Sequence, residues 1–176
     1  FSSCRFNFFM VFLIPNSRDY FGILLFFLFL TTFVIVMKQI SWNSQGIDMP
    51  ELDFDAVEKW IADVASRQGR GVGQIGYLFC TDEKILEVNR QFLDHDYYTD
   101  IITFDYSDSH IISGDIVISL DTVRSNADQF VQPYRRELMR VIIHGILHLC
   151  GIDDKGPGER EIMERYEDES LEMIGL

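Results

Sequence analysis

From residue 37 onward the apolar positions switch repeatedly between helical and strand spacing. Ile40 to Trp42 reads as a short first strand. Asp53-Phe54-Asp55 opens a helix, with Asp53 free to cap and Asp55 near the positive end of the helix dipole. Phe54, Val57, Trp60, Ile61 and Val64 form its apolar stripe, and Gly69 ends it. Gly73 to Cys80 is strand-like. Thr81 caps a second helix with Asp82 and Glu83 in its first turn, and Ile85, Val88 and Phe92 line one side. Asp94 to Asp100 is a polar loop. Ile101 to Tyr106 and Gly114 to Leu120 are β-rich runs separated by Ser107-Asp108-Ser109-His110, which predicts a hairpin. Asp121 to Gln132 continues as helix until Pro133, which starts the next one. The helix bearing His144 follows. Pro157-Gly158-Glu159 then opens a last amphipathic helix carrying Ile162, Met163, Tyr166, Met173 and Ile174. The expected fold class is α+β: a small mixed β-sheet with packed helices, the His144 helix central.

The first 36 residues break this pattern. Tyr20 to Met37 is an uncharged, almost wholly apolar run of 18 residues closed by Lys38, just long enough for a membrane span. It lacks a small-residue cleavage site. The segment is rich in phenylalanine without amphipathic period, and Met37-Lys38-Gln39-Ile40 has the form of a start. Residues 1–36 are therefore expected to be a mis-extended reading frame, with a membrane anchor as the alternative. Residues 37–176 are the expected functional domain, and no membrane partner is expected unless residues 1–36 belong to the native protein.

Charge narrows the choice of partners. The 176 residues carry a formal net charge of −13. Residues 1–36 hold only Arg5, Arg18 and Asp19, a net +1, so the remainder carries −14. Such a body argues against diffuse, charge-driven nucleic-acid binding but allows a local basic groove. Cys4, Cys80 and Cys150 are odd in number and irregularly spaced, which suits a reducing compartment better than a disulfide framework.

The chemistry gathers in Arg140 to Asp154. His144 and His148 stand four apart on one helix face, in an otherwise apolar run where an unpaired imidazole is costly to bury. Gly151 offers a left-handed helix stop, and Asp154 follows six residues after His148. A chain that turns back at Gly151 brings the Asp154 carboxylate to the open side of the histidine pair. Two imidazoles and a carboxylate, with the fourth position left for water, form the ligand set of a catalytic zinc site. The spacing matches the long zinc signature, histidine-x-x-x-histidine-x-x-glycine-x-x-ligand. A zinc ion on His144, His148 and Asp154 would activate water and polarise a phosphoryl or carbonyl oxygen.

A metallopeptidase is the first reading of such a site, and it fails at one residue. Zinc peptidases carry a glutamate base immediately after the first histidine; here that residue is Gly145. Asp153 is a candidate base, although a loop acid beside a ligand is more often solvated or a support for the ligand. Phosphodiester cleavage of RNA needs such a carboxylate less, because the ribose 2′-hydroxyl can attack internally. Phosphoryl transfer therefore suits the site better than peptidolysis.

His144-Gly145-Ile146-Leu147-His148-Leu149-Cys150-Gly151 resembles the signature of the YbeY family of single-strand-specific, metal-dependent endoribonucleases. Val88-Asn89-Arg90-Gln91-Phe92, Thr99-Asp100-Ile101-Ile102-Thr103-Phe104 and Gly114-Asp115-Ile116-Val117-Ile118-Ser119 agree in order and spacing, over roughly residues 40–175. The resemblance implies a cytoplasmic rRNA maturation factor that trims the small-subunit rRNA 3′ end and helps to remove defective ribosomes. It also implies one Zn2+ on the signature helix. The expected partners are single-stranded pre-rRNA, the ribosomal small subunit and its assembly factors.

Two departures from the family pattern bear on the site. The usual third ligand is histidine, and Asp154 stands there; aspartate is a competent zinc ligand, but it makes the metal less electrophilic and its identity more open. The arginine usual after the second helix is replaced by Leu93, and Arg90, one turn earlier, is the nearest substitute. Its loss keeps a non-catalytic assembly factor with a structural zinc in play. Arg124, Arg135, Arg136 and Arg140 form the one basic cluster. Arg136 and Arg140, with Arg90, are candidate RNA contacts; the same arginines also suit pairing with Glu137 and neighbouring acids. Asp115 is expected to cap or hydrogen-bond near the metal helix.

Overall fold

In the computed structural model, residues 39–93 and 96–176 are described. The apolar segment of residues 1–36, the first two residues of the Asp94–Asp100 loop and the Leu93 side chain lie outside that description. The chain divides after Met37, and every described residue belongs to the second unit. The elements of this unit are β1 (Ile40–Gln45), α1 (Phe54–Arg67), β2 (Gly71–Cys80), α2 (Asp82–Leu93), β3 (Ile101–Asp105), β4 (Ile111–Ser119), α3 (Leu120–Gln129), α4 (Tyr134–Leu149) and α5 (Glu159–Glu172). Among the described residues, no helix is long and apolar enough to cross a membrane.

The strands form one mixed sheet in the order β1-β2-β4-β3. β1 and β4 both run parallel to β2, whereas β3 and β4 form the expected antiparallel hairpin. Alternation along the strands gives each face its own core. Ile75, Tyr77 and Phe79 of β2, with Ile112, Ile116 and Ile118 of β4, face the larger cluster shared with α1, α3, α4 and α5. Trp42 stacks on Tyr77 with ring centroids 4.3 Å apart, and Tyr77 Oη donates to Ile142 O of α4 at 3.1 Å. On the other face Cys80, Val117 and Ile102 pack against Ile85 and Val88 of α2.

Several local expectations hold in atomic detail. Asp53 caps α1, its Oδ1 accepting from Ala56 N at 3.1 Å. Val57, Trp60, Ile61 and Val64 are buried on that helix, and Trp60 Nε1 donates to Ser170 O of α5 at 2.8 Å. Others are corrected. Phe92 is not buried beside Ile85 and Val88; it is exposed and meets Phe104 edge to face, centroids 5.6 Å apart. Ile162 and Ile174 are likewise exposed. Asp115 lies across the sheet from the His144 helix side, exposed, and accepts from Tyr106 Oη at 3.3 Å.

The stop of α3 also differs from expectation. The helix ends at Gln129 rather than running to Pro133. Val131 N bonds Asp128 O at 3.3 Å and Gln132 N bonds Ala127 O at 2.9 Å, the paired bonds of a Schellman stop. Val131 takes the left-handed position with φ 55°, where glycine is the usual residue, and its side chain stands 91% exposed. A β-branched residue is strained there and has almost no packing to lose. Val131→Gly is expected to stabilise the protein by roughly 0.5–1 kcal/mol, after the greater chain entropy of glycine is subtracted. Urea denaturation should show this as a higher midpoint at unchanged slope.

Candidate metal centre

Ten residues of α4 are buried, among them Val141, Ile142, Ile143, Gly145, Ile146 and Leu147. His144 and His148 occupy the strip that remains. Their rings meet edge to face with centroids 4.4 Å apart, and the two Nε2 atoms are 2.9 Å from each other. The other ring nitrogens are already engaged. His144 Nδ1 lies 2.6 Å from Glu167 Oε1, and His148 Nδ1 lies 2.9 Å from Ile152 O. A carboxylate and a carbonyl both accept, so each neutral ring carries its proton on Nδ1. The two Nε2 lone pairs then face one another, and a cation between them removes that repulsion.

The end of α4 supplies the third candidate ligand. Gly151 has φ 91°; its N bonds His148 O at 2.8 Å, and Ile152 N bonds Leu147 O at 3.0 Å. This Schellman stop turns the chain back, sets the Ile152 carbonyl against His148, and brings Asp154 over the rings. Asp154 Oδ2 is 3.8 Å from His144 Nε2, and its Oδ1 is 3.9 Å from His148 Nε2. One ligand atom from each of the three residues lies within 4.8 Å of the others. Ligands at roughly 2.0–2.1 Å from a tetrahedral ion stand about 3.3 Å apart, and the observed separations bracket that spacing. The donor set fits a divalent metal ion. Burial first, and then the neighbouring His144, pull the His148 imidazole below its ordinary value, with Asp154 opposing them. A neutral imidazole is the form that binds metal.

Gly145, one residue on from His144, is buried against the sheet. A Cβ there would stand 3.0 Å from Ile116 Cδ1 and 3.1 Å from Ile101 Cδ1. A glutamate at this position would point into the core and away from the ligands.

A cleft of about 540 Å³ opens beside the ligands, lined by His144 and Asp154 together with Asn126, Phe130, Arg136 and Arg160 among others. Of the expected RNA contacts, Arg136 and Arg140 line it and Arg90 does not. Arg136 pairs with Asp168 at 3.1 Å and donates to Gln132 at 2.8 Å. Arg140 is committed to Glu137 at 2.7 Å, Glu167 at 3.2 Å and Asp100 at 3.5 Å, so it is a neutralised cation rather than a free phosphate ligand. Burial opposes its charge, but the Glu137 hydrogen bond and the surrounding carboxylates outweigh burial and raise its pKa. Arg90 pairs with Asp96 at 2.6 Å on the surface. Asp153 is exposed and acts on His148 only through its charge. The sequence reading missed Arg160 and Glu167. The signal for Glu167 was present: it shares the buried face of α5 with Met163 and Leu171, an acid on an apolar stripe.

The family profile described as Endoribonuclease YbeY matches residues 39–175. The chain belongs to the YbeY family. A relative named Endoribonuclease YbeY from Phocaeicola vulgatus is 64% identical over 137 residues, a match covering 78% of this chain and 99% of that protein. Another, from Bacteroides thetaiotaomicron, is 59% identical over 134 residues, covering 76% of this chain and 98% of that one. The solution structure of a Thermotoga maritima protein superposes with a TM-score of 0.55 at 26% identity, covering 76% of this chain and 90% of that one. The YbeY match starts at residue 39 and takes in the whole sheet and all three candidate ligands.

Two measurements test this geometry. Gly145→Glu is expected to cost at least about 3 kcal/mol, from overpacking plus an unpaired buried carboxylate, and to give no peptidase activity; denaturant melts and a casein assay check both. In the metal-free protein, the His148 pKa lies below its unfolded value, so on acidification the unfolded chain takes up that proton first. The His148 contribution is complete above about pH 6.5 and drains as pH falls toward the folded pKa. Urea melts in chelator should lose stability over that window, and His148→Gln should flatten the slope.

Proposed function

We propose that this protein is a zinc-dependent endoribonuclease that cuts single-stranded RNA, matures the 3′ end of small-subunit rRNA and takes part in ribosome quality control. One observation carries the reading. Two imidazoles and a carboxylate gather, open on one side, beside a cleft of ligand-site size, in a chain whose relatives bear the name Endoribonuclease YbeY.

When bound, the ion would polarise a phosphoryl oxygen and lower the pKa of a coordinated water. The residues divide the remaining work. His144 and His148 supply neutral donors whose orientation is set from behind by Glu167 and Ile152. Asp154 adds one negative charge to the ligand set. Asp153, exposed beside the ligand loop, is the proposed proton acceptor. Arg136 is the proposed phosphate contact within the cleft, and Arg90 the proposed substitute for the arginine that Leu93 replaces. Arg140, already neutralised, acts inside the protein. The packing of Gly145 on the sheet leaves no base beside the first histidine, which weighs against a metallopeptidase.

The acidic body shapes how RNA is met. With −14 on residues 37–176, non-specific attraction to a phosphate backbone is lost. Capture then rests on the cleft and on docking to the small subunit and its assembly factors in the cytoplasm, the proposed partners and compartment.

The test is cleavage of matched single-stranded and duplex RNAs by the wild type, His148→Ala and Asp154→Ala, with zinc and with chelator. Metal-dependent cutting of the single strand alone is expected, reduced at least about 100-fold in either variant. Undiminished cutting by His148→Ala in chelator, or no cutting by the zinc-loaded wild type, overturns the reading.

A further inference from the structure

We propose that Glu167 is the positioning residue for the ligand His144, and that Arg140 is the fixed cation holding the Glu167 carboxylate in place. The inference rests on the metal reading above and deepens it.

Glu167 is only 4% exposed, on the face of α5 that also buries Met163, Ser170 and Leu171. An isolated carboxylate in that setting is costly. Its Oε1 has two partners: His144 Nδ1 at 2.6 Å and Arg140 Nη1 at 3.2 Å. Arg140 stands one turn before His144 on α4, so both reach the same carboxylate from one helix face. The guanidinium cannot drift away. Its Nε and Nη2 grip the two oxygens of buried Glu137 at 2.9 and 2.7 Å, and Nη2 reaches Asp100 at 3.5 Å. Arg140 is therefore pinned by carboxylates from its own helix, from α5 and from the residue before β3.

The arrangement acts on one atom. With Nδ1–H held by a carboxylate, the His144 ring can neither flip nor change tautomer, and Nε2 stays the donor aimed at His148 and Asp154. The negative charge behind the ring also makes Nε2 a stronger donor. A carboxylate behind a ligating histidine has this effect in metal sites generally, and its removal typically weakens metal binding 10- to 100-fold. His148 has only a neutral carbonyl behind it. The two histidines, alike in sequence, are therefore unequal as ligands, and His144 depends on a residue 23 positions away.

The test uses the full chain and zinc alone, its affinity measured by competition with a chromophoric chelator, with melting of the metal-free protein in parallel. Glu167→Ala is expected to bind zinc about 10- to 100-fold more weakly. Glu167→Gln keeps an acceptor and loses the charge, so it should fall between, about 3- to 10-fold weaker. Glu137→Gln loosens the Arg140 clamp without touching His144, so Glu167 is held less firmly and zinc affinity should fall, but by less than in Glu167→Ala, even where the melting point drops further. Wild-type affinity in Glu167→Ala overturns the proposal, as does an equal loss in Glu137→Gln, the mark of a merely structural cage. Should Glu167→Ala fail to fold, Glu167→Gln decides by the same criterion. No RNA enters the measurement, so a zinc-binding wild type that cuts no RNA would remove the nuclease reading and leave this one standing.

Discussion

Where Gly145 meets Ile116 and Ile101, the backbone of α4 comes within side-chain reach of the sheet, and that contact sets the rotation of the helix about its own axis. A larger residue would lift or turn the helix. Successive residues lie about 100° apart around an α-helix, so the strip carrying His144 and His148 has its direction fixed by what the opposite strip packs on. Tyr77 adds a hydrogen bond from the sheet to the Ile142 carbonyl. The imidazoles are then the part of a buried helix that faces a cleft, and the remaining features bring a carboxylate to them and hold the rings still.

How much of this was legible in the sequence depended on whether a feature is local. The grouping of His144, His148 and Asp154 as candidate ligands is readable because their relation is set within eleven residues: one helical turn joins His144 to His148, and Gly151 dictates the turn that returns Asp154. The hairpin, the Asp53 cap and the stripe of α1 are local in the same sense. Features that need a partner from a distant element are harder to read. Glu137 is close enough in sequence to suggest a partner for Arg140, but nothing near Arg140 reveals Glu167 and Asp100. Phe92 fits the helical period of α2, but it meets the sheet only through the edge-to-face contact with Phe104 and stays exposed. Propensity points to Pro133 as the end of α3 because a left-handed valine is unusual, although the backbone bonds at Val131 are ordinary.

Charge runs through the site in an ordered way. The cleft walls hold more acids than bases, yet five of the acids face an arginine: Asp168 meets Arg136, Glu164 meets Arg160, and Glu137, Glu167 and Asp100 share Arg140. Partly buried pairs of this kind are weak contributors to stability and strong constraints on geometry. They hold side chains at fixed angles in a region where helices from three parts of the chain converge.

The third candidate ligand is held differently from the other two. His144 and His148 belong to a packed helix, and exchanging either disturbs the bonds behind it. Asp154 projects from a short surface loop, half-buried, with its backbone set by the turn at Gly151. Such loops tolerate exchange where helices do not. An exchange at this single corner would change the donor atom offered to a cation, oxygen for nitrogen, while the hydrophobic interior stays as it is.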